Sequence, residues 1–185
     1  MMDELQRERE QGFDLEYLAE ALPEMAELGD RYKTPGFGLA AQLFACTAKV
    51  VLDRLGPEEG EGVLKAAVEA FGLERGRRIA EKVKAAGKPL TFRNWLIYGD
   101  IDSTLNFSPE PAVDNGDLVV KVNACTFSKA AEQWGMGKYA DIYCRYVDFA
   151  ILKGYNPEIK LELDHHRATG RDYCVFRYIM KEGNK

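Results

Sequence analysis

Residues 117–125 read DLVVKVNAC. Leu118, Val120, Val122 and Ala124 fall on alternate positions, the period-2 pattern of a strand with one buried face. Just upstream, PAVDNG at 111–116 is turn chemistry, and LNFSP at 105–109 is a short strand candidate, so the region predicts a hairpin. Downstream, Phe127 to Trp134 predicts a brief helix that Gly135 and Gly137 break. Tyr139 to Lys153 then sets Tyr139, Ile142, Tyr143, Tyr146, Phe149 and Ala150 on one helical stripe, with Gly154 closing it. Alternation returns at Ile159 to His165 through Ile159, Leu161 and Leu163. A last strand over Tyr173 to Met180 completes a second hairpin turning near Gly170.

Toward the N-terminus the period changes to that of helices. Leu15, Leu18, Ala19, Leu22, Met25 and Leu28 have helical spacing, with Pro23 either kinking the segment or starting a second helix. After the breaker TPGFG at 34–38, Leu39 to Leu55 is apolar on almost every side, which predicts a central helix buried all round. Gly56 stops it, and Pro57 with Glu58, Glu59 and Glu61 opens a helix to about Phe71. Another spans Leu73 to Ala86, and a short helix capped by Thr91 ends before Gly99. The sum is an α+β domain over 36–185, with helices on one face of a four-stranded antiparallel sheet and a helix between its two hairpins. Residues 1–35 form an acidic N-terminal arm.

Composition narrows the function. The 185 residues are 46% hydrophobic and 30% charged, enough for a core without staples, with a net charge of -5. That balance disfavours nucleic acid as a partner. The acidic excess lies in the first 35 residues, with ten acids and four bases. Arg75, Arg77, Arg78, Lys82, Lys84, Lys88 and Arg93 gather on predicted helix, a solvated face or an anion site. The longest apolar run, Leu39 to Cys46, is short for a bilayer span, and the charged N-terminus lacks a signal sequence's apolar stretch. A cytoplasmic protein with no membrane partner is the expectation.

Four cysteines, Cys46, Cys125, Cys144 and Cys174, stand too far apart for CxxC chemistry, so each is a reduced core residue, a metal ligand or a reactive thiol. Cys46, inside the apolar helix, reads as core. Cys144 and Asp148 are one helical turn apart, with Asp141 a turn earlier. Cys125 precedes the helix starting near Phe127, where the helix dipole favours a thiolate. His166 and Cys174 are each four residues from Gly170 and oppose one another if the hairpin centres there. An asymmetric turn puts His165 in that place instead.

FGLERGRRIA at 71–80, CTFSKAAEQWG at 125–135, YCRYVDFAILKGYNPEIKLEL at 143–163 and GRDYCVFRY at 170–178 resemble the L-2-amino-thiazoline-4-carboxylic acid hydrolase family over roughly residues 36–181. The sharpest part is the ordered set Cys125, Cys144, Asp148, Asn156, Pro157, Gly170, Cys174 and Phe176. The closing Gly170, Cys174 and Phe176 also resemble the end of the 4-vinyl-reductase type of small-molecule-binding domain, which implies a trafficking-particle-like fold. Those domains tend to carry a cysteine where this chain has His166.

The resemblance implies a reaction class: hydrolytic opening of a carbon–nitrogen or carbon–sulfur bond in a small thiazoline-like ring. Such chemistry needs attack on an sp2 carbon and a proton for the leaving atom. Cys125 is the candidate nucleophile, a histidine the proton shuttle and Asp148 the holder of the cationic amidine. Cys144, His166 and Cys174 complete the catalytic candidates, and His165, Tyr143 and Trp134 are candidate substrate contacts. No cofactor is expected. Were a metal bound, Cys125, Cys144, His166 and Cys174 match the donors of a zinc site. The expected partners are a small-molecule substrate and a second copy of the chain. The alternative reading is a non-catalytic sensor or carrier using the same pocket.

Overall fold

The alternation at 117–125 becomes strand β2 (Asp117–Cys125) in the computed structural model, which describes residues 9, 15–29, 31, 33–164 and 173–179. The chain divides into two units, Met1–Thr34 and Pro35–Lys185. The first contains helix α1 (Leu15–Leu28), one helix through Pro23. In the second, helices α2 (Gly36–Leu55), α3 (Pro57–Ala85), α4 (Phe92–Tyr98) and α5 (Ser103–Asn106) precede strands β1 (Phe107–Asp114) and β2. Helices α6 (Thr126–Gln133) and α7 (Gly137–Tyr155) follow, then β3 (Lys160–Asp164) and β4 (Cys174–Ile179). The fold is α+β, and its antiparallel sheet has the order β1-β2-β4-β3.

The β1–β2 hairpin turns more tightly than expected. PAVD belongs to β1, and only Asn115 and Gly116 form the turn, with φ of 52° and 89°. A two-residue Asn-Gly loop with both φ values positive matches the twist of the flanking strands. Pro109 and Pro111 fit because β1 is an edge strand.

Pairing sets Leu118 against Tyr178, Val120 against Phe176 and Val122 against Cys174, with Leu161 and Leu163 opposite Tyr178 and Phe176. These side chains share one face. The alternate positions carry Lys121, Arg177 and Glu162, and Arg177 pairs with Asp114 and Asp117. Between Phe107↔Cys125 and Pro109↔Val122 the register slips by one residue. This bulge returns Cys125 to the face of Val122 and Cys174, a face that strict alternation would deny it. Phe107 shares that face and meets Phe37 of α2 at 5.8 Å between ring centres.

Helix α3 is a single 29-residue helix where the sequence suggested two. Gly72 does not break it. A Cβ there would lie 2.6 Å from the Cβ of Ala150, and one at Gly76 would lie 2.0 Å from the carbonyl oxygen of Ile151. Gly154 likewise lies inside α7, where a Cβ would sit 2.2 Å from the Leu73 carbonyl oxygen. The three glycines let the two backbones touch. Val68, Ile79, Val83, Val147, Ile151 and Tyr155 form the core cluster around them.

Helix α2 is not buried all round, contrary to its apolar composition. Only the stripe Gly38, Ala41, Gln42, Ala45 and Ala48 is buried, and Gln42 donates to the Ala130 carbonyl of α6. Leu43 is 71% exposed and Leu39 54%. The helix is long and apolar enough to cross a membrane by length and composition alone, while its small-residue stripe packs against α6, α3 and α7. At α4 the expected cap is present, Thr91 Oγ1 accepting from the Asn94 N–H. Cys46 is half-buried, with its thiol 3.7 Å from the Met136 sulfur.

Candidate functional site

Three elements bring the thiols together. The β2 bulge turns Cys125 inward at the N-cap of α6, where Thr126 ties the helix start to Asn106 by a 2.9 Å hydrogen bond. One residue on, Phe127 is buried and stacks on Tyr143 of α7 with ring centres 4.6 Å apart. Cys125, Tyr143 and Cys144 pack on one buried cluster with Ala41, Ala45, Phe127 and Ala140. Cys174 faces them from β4, beside Phe176.

The electrostatics report the same grouping. Burial pushes the Cys144 thiol well above its ordinary range, and Cys125, Asp148, Asp141 and Cys174 add to the push. Its thiolate would be desolvated and surrounded by groups that are negative or become so. Burial also raises the Asp148 carboxyl to about 6, against the opposing field of Arg75. Tyr143 and Tyr178 are held protonated, mainly by burial, and both feel Asp148. Asp148 is therefore a desolvated acid rather than the solvated carboxylate that its helix flank suggested.

Arg75 and Tyr178 escaped the reading of the sequence. Arg75 sat among six other bases with nothing to mark it, and Tyr178 looked like one more core-facing aromatic. Packing decides both. The close approach at Gly72 and Gly76 brings Arg75 within the field of Asp148 and Tyr143. Tyr178 lies under Phe92, ring centres 4.5 Å apart.

Trp134 does not join the group. It is the C-cap of α6, 56% exposed, and roughly 13 Å along the helix axis from the N-cap Cys125. Trp95 packs on Tyr155 in the core. His165 and His166 lie outside the described residues, so the hairpin question falls there too; the last described pair is Asp164↔Val175. Among the described residues, no three His, Cys, Asp or Glu side chains are arranged to hold a metal ion. A cleft of about 370 Å³ lies by the start of α4 and the end of α7, lined by Thr91, Phe92, Asn156 and Ile179 but by none of the thiols.

Residues 36–178 match the family model of L-2-amino-thiazoline-4-carboxylic acid hydrolase, which is most of the chain and spans every group in the site. The chain belongs to this family. No curated protein sequence matches it.

Two thiols of this site, Cys125 and Cys144, should differ in reactivity. At pH 7.5, iodoacetamide is expected to modify Cys144 several-fold more slowly than Cys125, because the thiolate is the reacting species and burial suppresses it at Cys144. Peptide mass spectrometry over a time course reads both rates. Faster labelling of Cys144 would contradict the electrostatic picture.

Proposed function

We propose that the protein hydrolyses a small thiazoline or similar ring, with Cys125 as nucleophile and Asp148 as proton donor. The reading rests above all on one observation: a desolvated carboxyl, part-protonated near neutral pH, lies within the field of Cys144, whose thiol also feels Cys125 and Cys174. Cys144 is a poor nucleophile for the reason just given. Cys125 stands at the N-cap of α6, turned by the β2 bulge onto the face of Cys174.

In the proposed sequence the Cys125 thiolate adds to the amidine carbon of the ring. A ring carbon–sulfur or carbon–nitrogen bond breaks, and the departing atom takes the Asp148 proton. Water then attacks the same carbon, giving its proton to the Asp148 carboxylate as the carbon–Cys125 bond breaks and the thiolate returns. The net change is the addition of one water and the opening of the ring. Tyr143 and Tyr178, kept protonated, can donate hydrogen bonds to developing charge.

Incubating the purified chain with L-2-amino-thiazoline-4-carboxylic acid and following the ring protons by NMR tests this. Turnover is expected, with Cys125→Ser reducing kcat by at least roughly 100-fold. Absence of turnover, or full activity in Cys125→Ser, would refute the assignment.

A further inference from the structure

Three arginine-bearing positions in the α3 basic cluster have different surroundings. Arg77 and Arg78 lie outward and pair with Glu74 on their own helix, Arg77 also with Glu81. Their side chains are 51% and 68% exposed, the solvated face that the charge pattern suggested. Arg75 is 17% exposed and turned the other way, toward α7. Asp100, on the segment between α4 and α5, grips it from one side, accepting from Nε at 2.9 and 2.8 Å and from Nη2 at 2.6 Å.

That grip uses one edge of the guanidinium. Arg75 also lies within the field of Tyr143, whose ring is fixed between Phe127 and Phe44. Asp148 interacts with Arg75 through the field alone; among the described residues no hydrogen bond joins them. A cation and a phenolic O–H thus converge beside a carboxyl group that neither of them binds. Two converging donors, one cationic, match the two oxygens of a carboxylate.

We propose that Arg75, backed by Asp100 and assisted by the Tyr143 hydroxyl, is the receptor for the carboxylate of the ring substrate and so restricts the enzyme to small heterocyclic acids. This deepens the hydrolase reading and rests on it for the identity of the ring. The receptor orients the acid end toward α3 and α7, leaving the amidine carbon toward the thiols of β2 and β4.

Calorimetric binding separates the two ideas, using thiazolidine-4-carboxylate, a saturated ring that cannot be opened by the same route, and thiazolidine without the carboxylate. The wild type is expected to bind the acid and to bind thiazolidine at least 10-fold more weakly. Arg75→Gln should weaken the acid by roughly 10- to 100-fold, the range for a charged hydrogen-bonded contact, and leave thiazolidine within about 3-fold. Arg75→Gln/Asp100→Asn removes the pair together, so that no unpaired carboxylate compromises folding, and should show the same selectivity. Equal affinity for the two rings, equal losses for both in the variants, or no binding of the acid by the wild type would overturn the receptor. Arg75-dependent binding without any ring opening would uphold the receptor and refute the hydrolase reading. Ring opening indifferent to Arg75 would do the reverse.

Discussion

Alanine at position 76 is expected to destabilise the protein by about 3 kcal/mol or more, at the upper end of overpacking substitutions. The added methyl would sit 2.0 Å from the Ile151 carbonyl oxygen and 2.8 Å from the Tyr155 nitrogen, and both obstacles are backbone. No rotamer change relieves that contact; α3 and α7 would have to separate. Separation would also draw Arg75 away from Asp148, so surviving protein should bind substrate acids poorly. Gly62 supplies the control within the same helix. Nothing lies within 4 Å of a Cβ built there, and Gly62→Ala should stabilise by about 0.5–1 kcal/mol through helix propensity alone. Chemical denaturation of both variants reads the contrast. Similar effects at the two positions would mean that the helices do not touch as described.

Asp148→Asn should make the protein more stable and inactive. Burial lifts the Asp148 carboxyl from an ordinary 3.8 to about 6. A carboxyl whose folded pKa exceeds its unfolded pKa binds its proton more tightly when folded. Its contribution is therefore fully present below about pH 4 and is lost as pH rises to about 6 and beyond. Two units correspond to about 3 kcal/mol, an upper figure because the group is only partly buried. At pH 8 the asparagine variant should melt several degrees above the wild type, and at pH 4 the two should nearly coincide. Ring opening should fall by roughly 100- to 10,000-fold with the loss of the proton donor. In the wild type, kcat/KM should decline as pH rises through about 6 and Asp148 ionises. A lower melting point for the variant at pH 8 would show that the charged carboxylate is stabilised by contacts that outweigh its desolvation.

Glycine carries two structural meanings in this chain. Gly56 and Gly154 look alike in the string, each ending a helical run before a polar segment. Gly56 does end α2, with φ of 81°, whereas Gly154 continues α7 and touches Leu73. Gly72 reads as a break and is a contact. The absence of a side chain serves backbone freedom and backbone proximity equally, and only the partner helix distinguishes them. Apolar composition had the same ambiguity at α2: Leu39 and Leu43 mark a helix, but which of its faces is covered depends on what packs there.

Local chemistry was legible wherever a residue answers to its immediate neighbours. Strand alternation, the Asn115–Gly116 turn residues, the Thr91 cap and the helix opening at Pro57 are decided within a few residues by sterics and hydrogen bonding, and with them the α+β order of elements. The sequence also named Cys125, Cys144, Asp148 and Cys174 as chemistry-bearing residues of one family. Tertiary structure decided what each is chemically. The β2 bulge turns Cys125 onto the face of Cys174, burial makes Asp148 an acid of pKa about 6, and the touching backbones of α3 and α7 select Arg75 from seven bases. Each of these depends on groups far away in the chain, because desolvation and Coulomb fields are set by distance in space rather than along the sequence.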